Sequence, residues 1–182
     1  CFMPSYLIFT GRQHLFTLAE LSAYFATENF TYADDNVCII RTEKTIQEMR
    51  EIQDACGGII KIAKQAEVFV NREEVSEIIY HFLSNHFFQH HHKITLGLSV
   101  YGEKNIKILD ILKKLKNRFK KEDMLLRFIN QGDKNIETYQ ILKEKLLFDK
   151  GCELNISFIN GEYILSQTIS VQDIDAYSLR DY

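Results

Sequence analysis

Residues 151–171, GCELNISFINGEYILSQTISV, decide the fold at the C-terminal end of the chain. Two runs rich in β-forming residues, 153–159 and 162–171, flank the dipeptide Asn160-Gly161. A type I′ turn needs a positive φ at both central positions, and Asn and Gly adopt that conformation most readily. The stretch therefore predicts a β-hairpin with Asn160-Gly161 at its turn.

Upstream of the hairpin, hydrophobic periodicity predicts alternating helices and strands. The expected elements are a helix at about 72–88 capped by Asn71, a strand at 94–101, a basic helix at about 107–121, a strand at 125–130 and a helical segment at 135–149. A histidine-rich loop is expected between the first helix and the first strand.

The first seventy residues predict the order β-α-β-α-β. Thr45 and Glu48 have the spacing of a capping box, and the Gly57-Gly58 pair is typical of a helix end. The predicted elements are a strand at 6–10, a helix at 16–25, a strand at 36–41, a helix at 45–56 and a strand at 59–70. We predict an α+β fold of two small domains, with a boundary near residues 70–72.

Composition is that of an ordinary globular protein, with 46% hydrophobic and 26% charged residues. There is no apolar run of the ~20 residues needed to cross a bilayer, and the Cys1-Phe2-Met3-Pro4 start lacks the basic region of a signal peptide. We expect a cytoplasmic protein without a membrane partner. Because the first residue is Cys, we also expect a fragment, a processed product or an incomplete gene. The four cysteines lie far apart, which favours buried, reduced thiols over a zinc site.

The net charge of −3 hides an uneven distribution. Residues 1–92 hold seven basic and twelve acidic side chains, whereas residues 104–121 hold eight basic side chains and one acidic one. Phosphate binding depends on local charge, because the Debye length is only about 8–10 Å in physiological salt. The basic segment is therefore a candidate nucleic-acid contact in an acidic protein.

The basic helix separates its side chains by type. Ile108, Leu112, Leu115 and Phe119 form an apolar stripe, and the opposite side carries Lys113, Lys114, Lys116, Arg118, Lys120 and Lys121. Lysine binds phosphate as a point charge, so this face would hold an RNA backbone rather than read bases. The alternative is a solvated helix face, although the lack of glutamate partners within the helix favours binding.

Other candidate sites have simpler interpretations. The histidine cluster (His81, His86, His90, His91 and His92) lacks Cys, Asp or Glu partners at ligand spacing, so a solvated helix end and loop is preferred to a metal site. The C-terminal aspartates Asp173, Asp175 and Asp181 are interpreted as a polar exit segment. For Tyr163, Tyr177 and Tyr182, packing is preferred to stacking on bases. We find no catalytic motif, no metal site and no cofactor loop in this chain.

Three stretches resemble the N-terminal region of THUMP-containing RNA methyltransferases, a family that includes archaeal-type tRNA guanosine N2-methylases. They are YLIFTGRQHLFTLAELSAYF at 6–25, GGIIKIAK at 57–64, and GCELNISFINGEYILSQTISVQDIDAYSLRDY at 151–182. The resemblance spans nearly the whole chain, and its ending is the most specific part.

The resemblance implies a ferredoxin-like domain at 1–71, a THUMP-like RNA-binding domain at 72–171, and the start of a linker at 172–182. In the family a Rossmann-like domain follows, binds S-adenosylmethionine and carries an Asn/Asp-Pro-Pro-Tyr/Phe motif. This sequence contains neither that motif nor a methyl-donor glycine loop. We therefore expect the chain alone not to be an enzyme, and its methyltransferase domain to be supplied in cis or in trans.

The implied function is capture of the tRNA acceptor end for a guanine-N2 methyltransferase. The charge argument places RNA on the cations of the basic helix together with Lys93 and Arg127. A close variant is a THUMP module of another RNA-modifying enzyme, such as a thiouridine or pseudouridine synthase. The alternative of a different class is a ferredoxin-like regulatory or small-molecule-binding module without a role in RNA binding. A non-functional remnant of a broken gene is a third possibility.

Overall fold

A computed structural model describes residues 3–33 and 36–173. Short 3-10 turns lie at Thr27–Asn29 and Arg72–Glu74. The helices and strands in chain order are β1 Ser5–Thr10, α1 His14–Leu21, β2 Phe30–Ala33, β3 Val37–Arg41, α2 Ile46–Ala55, β4 Ile59–Phe69, α3 Val75–His86, β5 Lys93–Tyr101, α4 Ile108–Lys121, β6 Leu125–Phe128, α5 Thr138–Lys143, β7 Gly151–Ile159 and β8 Glu162–Val171. The predicted α+β class is confirmed.

The chain forms two compact units, whose boundaries fall within β4 and β8. One unit comprises the residues up to 65 together with those from 168, and the other comprises residues 66–167. The end of β8 therefore belongs with the N-terminal residues in space. The ferredoxin-like and THUMP-like domain ranges, 1–71 and 72–171, remain predictions about the sequence.

In the first unit, antiparallel strands follow the order β2-β3-β1-β4. The predicted order β-α-β-α-β was wrong by one element, because β2 pairs with β3 and makes the order β-α-β-β-α-β. That order is the ferredoxin-like one. Strand β2 has only four residues, and its pairing with β3 defines it in the structure.

The capping box of α2 is present as predicted. Glu48 N donates to Thr45 Oγ1 over 3.2 Å, and Thr45 N donates to Glu48 Oε2 over 2.7 Å. The helix then buries Met49 and Ile52 in a core formed with β1, β3 and β4. Two amide groups that would lack partners at the helix start are thus satisfied reciprocally.

In the second unit, β5 runs parallel to both β6 and β7, and β7 pairs with β8 in the predicted hairpin. The strand order is β8-β7-β5-β6. Asn160 and Gly161 have φ angles of 51° and 81°, so the turn has the two positive values expected from the sequence.

The two faces of this second group of strands carry different residues. Leu96 and Leu98 pack with α3 and α4, together with alternate residues of β7 such as Leu154. The opposite face carries Gly97, where a Cβ atom would lie 2.9 Å from the Ile136 side chain. Residues 130–146 therefore cover the face of β5 that points away from α4.

Several predicted elements end earlier than expected, and the helix predicted at 16–25, for example, ends at Leu21. The predicted 135–149 helix is limited to α5, Thr138–Lys143, and Lys145 has a positive φ of 55° that helical backbone does not allow. Strand β6 stops at Phe128, because the Asn130 side chain then replaces its backbone as the partner of β5.

The described cysteines, Cys38, Cys56 and Cys152, are free and buried, as the sequence predicts. Burial raises the pKa of the Cys38 and Cys56 thiols to about 11, and it also raises the pKa of Cys152. Among residues 3–33 and 36–173, none of the helices has the length and apolar character needed to span a bilayer.

Candidate nucleic-acid interface

Helix α4 positions the candidate interface by burying one face. Ile108, Leu112, Leu115 and Phe119 are at most 2% exposed and contribute to the core of the second unit. Residues at spacings of three and four lie on one side of a helix, so burial of this stripe fixes the rotation of α4 about its axis. The amphipathic helix predicted from the sequence is confirmed.

The fixed rotation leaves the lysines of α4 on the outside. Five of them are exposed: Lys113, Lys114, Lys116, Lys120 and Lys121. The last turn of the helix carries Arg118, Lys120 and Lys121, where positive charge interacts favourably with the negative end of the helix dipole. Six of the eight predicted RNA-binding residues therefore lie on one helix.

Arg118 differs from these lysines because it is held against α3. Its guanidinium donates a hydrogen bond to Glu77 and lies over the ring of Tyr80, with Cζ 3.4 Å from the ring centroid. The hydrogen bond from Arg118 is the largest cause that lowers the pKa of Glu77. Tyr80 in turn donates its hydroxyl to Glu122 over 2.7 Å. Arg118 therefore joins two helices, a role that the sequence did not reveal.

Lys116 extends towards the strand side of the helix. Its Nζ atom lies 5.5 Å from the centroid of the Phe128 ring. This distance is within the range of a cation–π contact, which for an exposed lysine leaves the ammonium accessible to solvent. Lys116 is thus an exposed cation whose charge lies near the Phe128 ring.

Lys93 and Arg127 do not join the α4 surface. In the parallel pair β5–β6, Thr95 lies beside Arg127, and Ile94 and Leu126 point towards the α4 side. Alternate strand residues point to opposite faces, so Lys93 and Arg127 project from the face that is turned away from α4. Arg127 also forms an ion pair with Glu144 at 3.0 Å. The eight predicted residues therefore fall on two surfaces.

A depression of about 260 Å³ lies beside the N-terminal ends of α3 and α4. Its charged residues are of both signs: Arg72, Lys107 and Lys114 face Glu73 and Asp110. Two carboxylates offset most of the positive charge in this depression. It is a weaker candidate for a phosphate than the outer face of α4.

The other candidates from the sequence lie apart from α4 or are buried. Tyr163 is 5% exposed and stacks on Phe69 with ring centroids 5.4 Å apart, so packing is confirmed for this tyrosine. Its hydroxyl donates to Glu103 over 3.1 Å, while burial raises the pKa of the phenol. Asp175, Tyr177, Asp181 and Tyr182 lie outside the described residues.

The histidines of the sequence cluster divide between α3 and the loop after it. His81 lies 3.8 Å from Glu77, and the His86 ring lies 4.6 Å from the Phe82 ring. His90, His91 and His92 follow α3 and precede β5. In the part of the chain that the structure describes, no group of three His, Cys, Asp or Glu residues is placed to hold a metal ion.

Comparison with known proteins gives a likeness at the level of fold. No protein-family model matches the sequence. No curated protein matches it either. Similar solved structures include PH1313 from Pyrococcus horikoshii OT3, with a TM-score of 0.54 and 12% identity, covering 91% of this chain and 54% of that one.

Two further solved structures have the same coverage of this chain. A 4-thiouridine synthetase in complex with RNA and ATP has a TM-score of 0.50 and 12% identity, with 41% of its chain covered. TrmN from Thermus thermophilus has a TM-score of 0.53 and 10% identity, with 45% covered. The chain thus spans about half the length, or less, of the solved proteins it matches. This likeness supports the THUMP-like fold predicted from the sequence.

Proposed function

We propose that this chain is the RNA-binding part of an RNA-modifying enzyme, and that α4 contacts the RNA backbone. The observation that carries the proposal is the pairing of a fully buried apolar stripe with five exposed lysines on the opposite side of one helix. Each phosphate that a lysine neutralises releases counterions, and this release is the main sequence-independent contribution to RNA affinity.

The finer proposal is that the RNA is tRNA, held near its acceptor end for a guanine-N2 methyltransferase domain. That domain would bind S-adenosylmethionine and act in cis or in trans. The sequence resemblance at 6–25, 57–64 and 151–182 supports this assignment. One of the similar solved structures, a 4-thiouridine synthetase in complex with RNA, supports RNA binding more generally.

The test is a titration of bulk tRNA, and of tRNA lacking its 3′ end, over a range of salt concentrations. The triple variant Lys113→Glu, Lys116→Glu, Lys120→Glu removes the central cations of α4. A matched control, Lys64→Glu, Lys134→Glu, Lys143→Glu, changes the net charge equally at three exposed positions outside α4. Both variants are first checked for an unchanged melting temperature.

We expect log affinity to fall linearly with log salt, with a slope of about 0.7 for each phosphate contact on single-stranded RNA. The α4 variant should bind tRNA more weakly and with a smaller salt slope, whereas the control variant should keep the salt slope of the unaltered chain. Weaker binding of tRNA without its 3′ end would support the acceptor-end assignment. Equal losses in both variants, or no binding by the unaltered chain at low salt, would favour the regulatory or small-molecule-binding alternative.

A further inference from the structure

A second positively charged surface lies at the end of the second unit where β5 and β7 begin. It is a depression of about 470 Å³ whose lining contains no carboxylate. We call it the histidine pocket, and its lining residues are His90, His91, His92, Lys93, Thr95 and Lys150. The sequence cluster that suggested a solvated loop is thus gathered beside two lysines.

Backbone contacts hold the histidines in place. Phe87 and Phe88, at the end of α3, are 7% and 6% exposed and belong to the core. The amides of His90 and His91 both donate to the Phe87 carbonyl, over 3.0 and 3.1 Å. The carbonyl of His92 accepts from Leu125 N over 2.8 Å. The loop is therefore attached to the core at both of its ends.

The lysines reach the pocket from two adjacent strands. Lys93 begins β5, and Lys150 immediately precedes β7. Thr95 N donates to the Lys150 carbonyl over 2.8 Å, which fixes the two backbones beside each other. The parallel pairing of β5 and β7 thus brings together charges that lie more than fifty residues apart in sequence.

The chemistry of the lining suits an anion with several acceptor oxygens. Lys93 and Lys150 carry two positive charges, and each imidazole adds another when it is protonated. The Thr95 hydroxyl can donate one more hydrogen bond. A phosphate monoanion or dianion supplies the acceptors that such a set of donors requires.

No carboxylate lines the histidine pocket. Carboxylates occur nearby in the sequence. Asp149 precedes Lys150, and Asp123 lies two residues before Leu125, whose amide binds His92. On the α3 side the nearest titratable residue in sequence is His86, which packs on Phe82. The lining of the pocket therefore contains basic side chains and no acidic one.

We infer that the histidine pocket binds a phosphate group of the RNA, and that protonation of His90, His91 and His92 strengthens this contact. The inference rests on the proposed RNA-binding function and adds a second contact to it. Lys120 and Lys121 lie at the C-terminal end of α4, close to the start of β6, and Lys93 pairs in register with the first residue of β6. The start of β6 thus lies beside Lys93 in register and directly follows the C-terminal end of α4 in the chain.

The test compares tRNA affinity at pH 5.5, 6.5, 7.5 and 8.5 at constant ionic strength. The variant is His90→Gln, His91→Gln, His92→Gln, and the matched control is His81→Gln, His86→Gln on α3. The α3 control reports any pH dependence that arises from histidines outside the pocket. In parallel, inorganic phosphate is titrated while the imidazole resonances of the unaltered chain are followed by NMR.

When binding of a phosphate raises the pKa of one imidazole by one unit, the RNA affinity is about tenfold higher with that imidazole protonated than with it neutral. We expect the unaltered chain and the α3 control to lose about tenfold in tRNA affinity from pH 5.5 to 8.5. The pocket variant should show no such change, and it should match the unaltered chain at pH 8.5.

The outcomes separate this inference from the proposed function. Salt-dependent tRNA binding that is independent of pH, or a pocket variant that keeps the pH dependence, overturns the pocket and leaves RNA binding intact. If no tRNA binds at any pH, RNA as the source of the phosphate is rejected. The NMR titration then tests phosphate binding without RNA. If phosphate shifts the resonances of His90–His92, the pocket is a phosphate site, and if it does not, the phosphate site is rejected.

Discussion

Arg118 lies over the ring of Tyr80, with its Cζ atom 3.4 Å from the ring centroid. The same guanidinium donates to Glu77, so it connects α4 to α3. Of the cations on α4, this residue is half-buried, whereas Lys113 and Lys120 are exposed. The helix therefore contains a cation that supports the structure beside cations that are available to a ligand.

Replacing Arg118 with Gln should change stability more than RNA affinity. The variant loses the contacts with Glu77 and Tyr80, so its melting temperature should fall. The Lys113→Gln, Lys120→Gln variant should keep its melting temperature and lose about 1.4 units of salt slope, at about 0.7 for each phosphate contact. Thermal melts and tRNA titrations over salt check both. A slope for Arg118→Gln as reduced as that of the lysine variant would show that Arg118 also contacts RNA.

Replacing Asn130 with Ala should destabilise the second unit by about 1–3 kcal/mol, because buried backbone groups lose their partners. Asn130 accepts from Leu98 N over 3.0 Å, and it donates to the carbonyls of Leu98 and Lys134 over 2.8 and 2.9 Å. Urea unfolding measures the change. The control is Asn117→Ala at an exposed position of α4, which should not be destabilising, because Ala is the better helix former. An equal loss in both variants would contradict the role of Asn130.

Replacing Gly161 with Ala should destabilise the chain by about 1 kcal/mol, because its φ of 81° is unfavourable for a residue with a Cβ atom. No atom lies within 4 Å of the added Cβ, so the loss comes from backbone conformation alone. Gly57→Ala is the control, since its Cβ also meets open space and no positive φ is recorded there. Chemical denaturation should show a loss for Gly161→Ala only; similar losses would contradict a turn-specific effect.

Stability should fall in acid partly through Glu48. Hydrogen bonds from the Thr45 backbone and side chain lower the pKa of Glu48 in the folded chain. A group with a lowered folded pKa stabilises the fold above its unfolded pKa, near 4.3, and this contribution is lost as the pH falls through the folded value. The difference in urea midpoint between the unaltered chain and Glu48→Gln should therefore be constant from pH 7 to 5.5 and shrink below about pH 4.3. A difference that does not vary with pH would contradict this account.

Local sequence patterns determined the elements that depend on neighbouring residues. The apolar stripe of α4, the Thr45–Glu48 capping box and the Asn160-Gly161 turn each involve residues fewer than a dozen positions apart, and all three are present. Their physical basis is helix periodicity, satisfied terminal amides and a positive φ, which are readable without knowing the fold.

Tertiary structure decided the features that depend on distant residues. Strand β2 exists because β3 offers a partner, and Asn130 ends β6 because it bonds to Leu98. The alternation of β5 and β6 separated Lys93 and Arg127 from α4, against the grouping made from charge alone.

The sequence by itself determined an α+β chain with a cationic amphipathic helix. Only tertiary structure decided which cations stay exposed, because Arg118 contacts Glu77 and Tyr80 on another helix. It also decided that a histidine tract would lie beside Lys150, since parallel strand pairing joins segments that are remote in sequence. The spacing of residues along the chain predicts which face of a helix or strand each side chain occupies. Which other residues contact that face depends on tertiary packing.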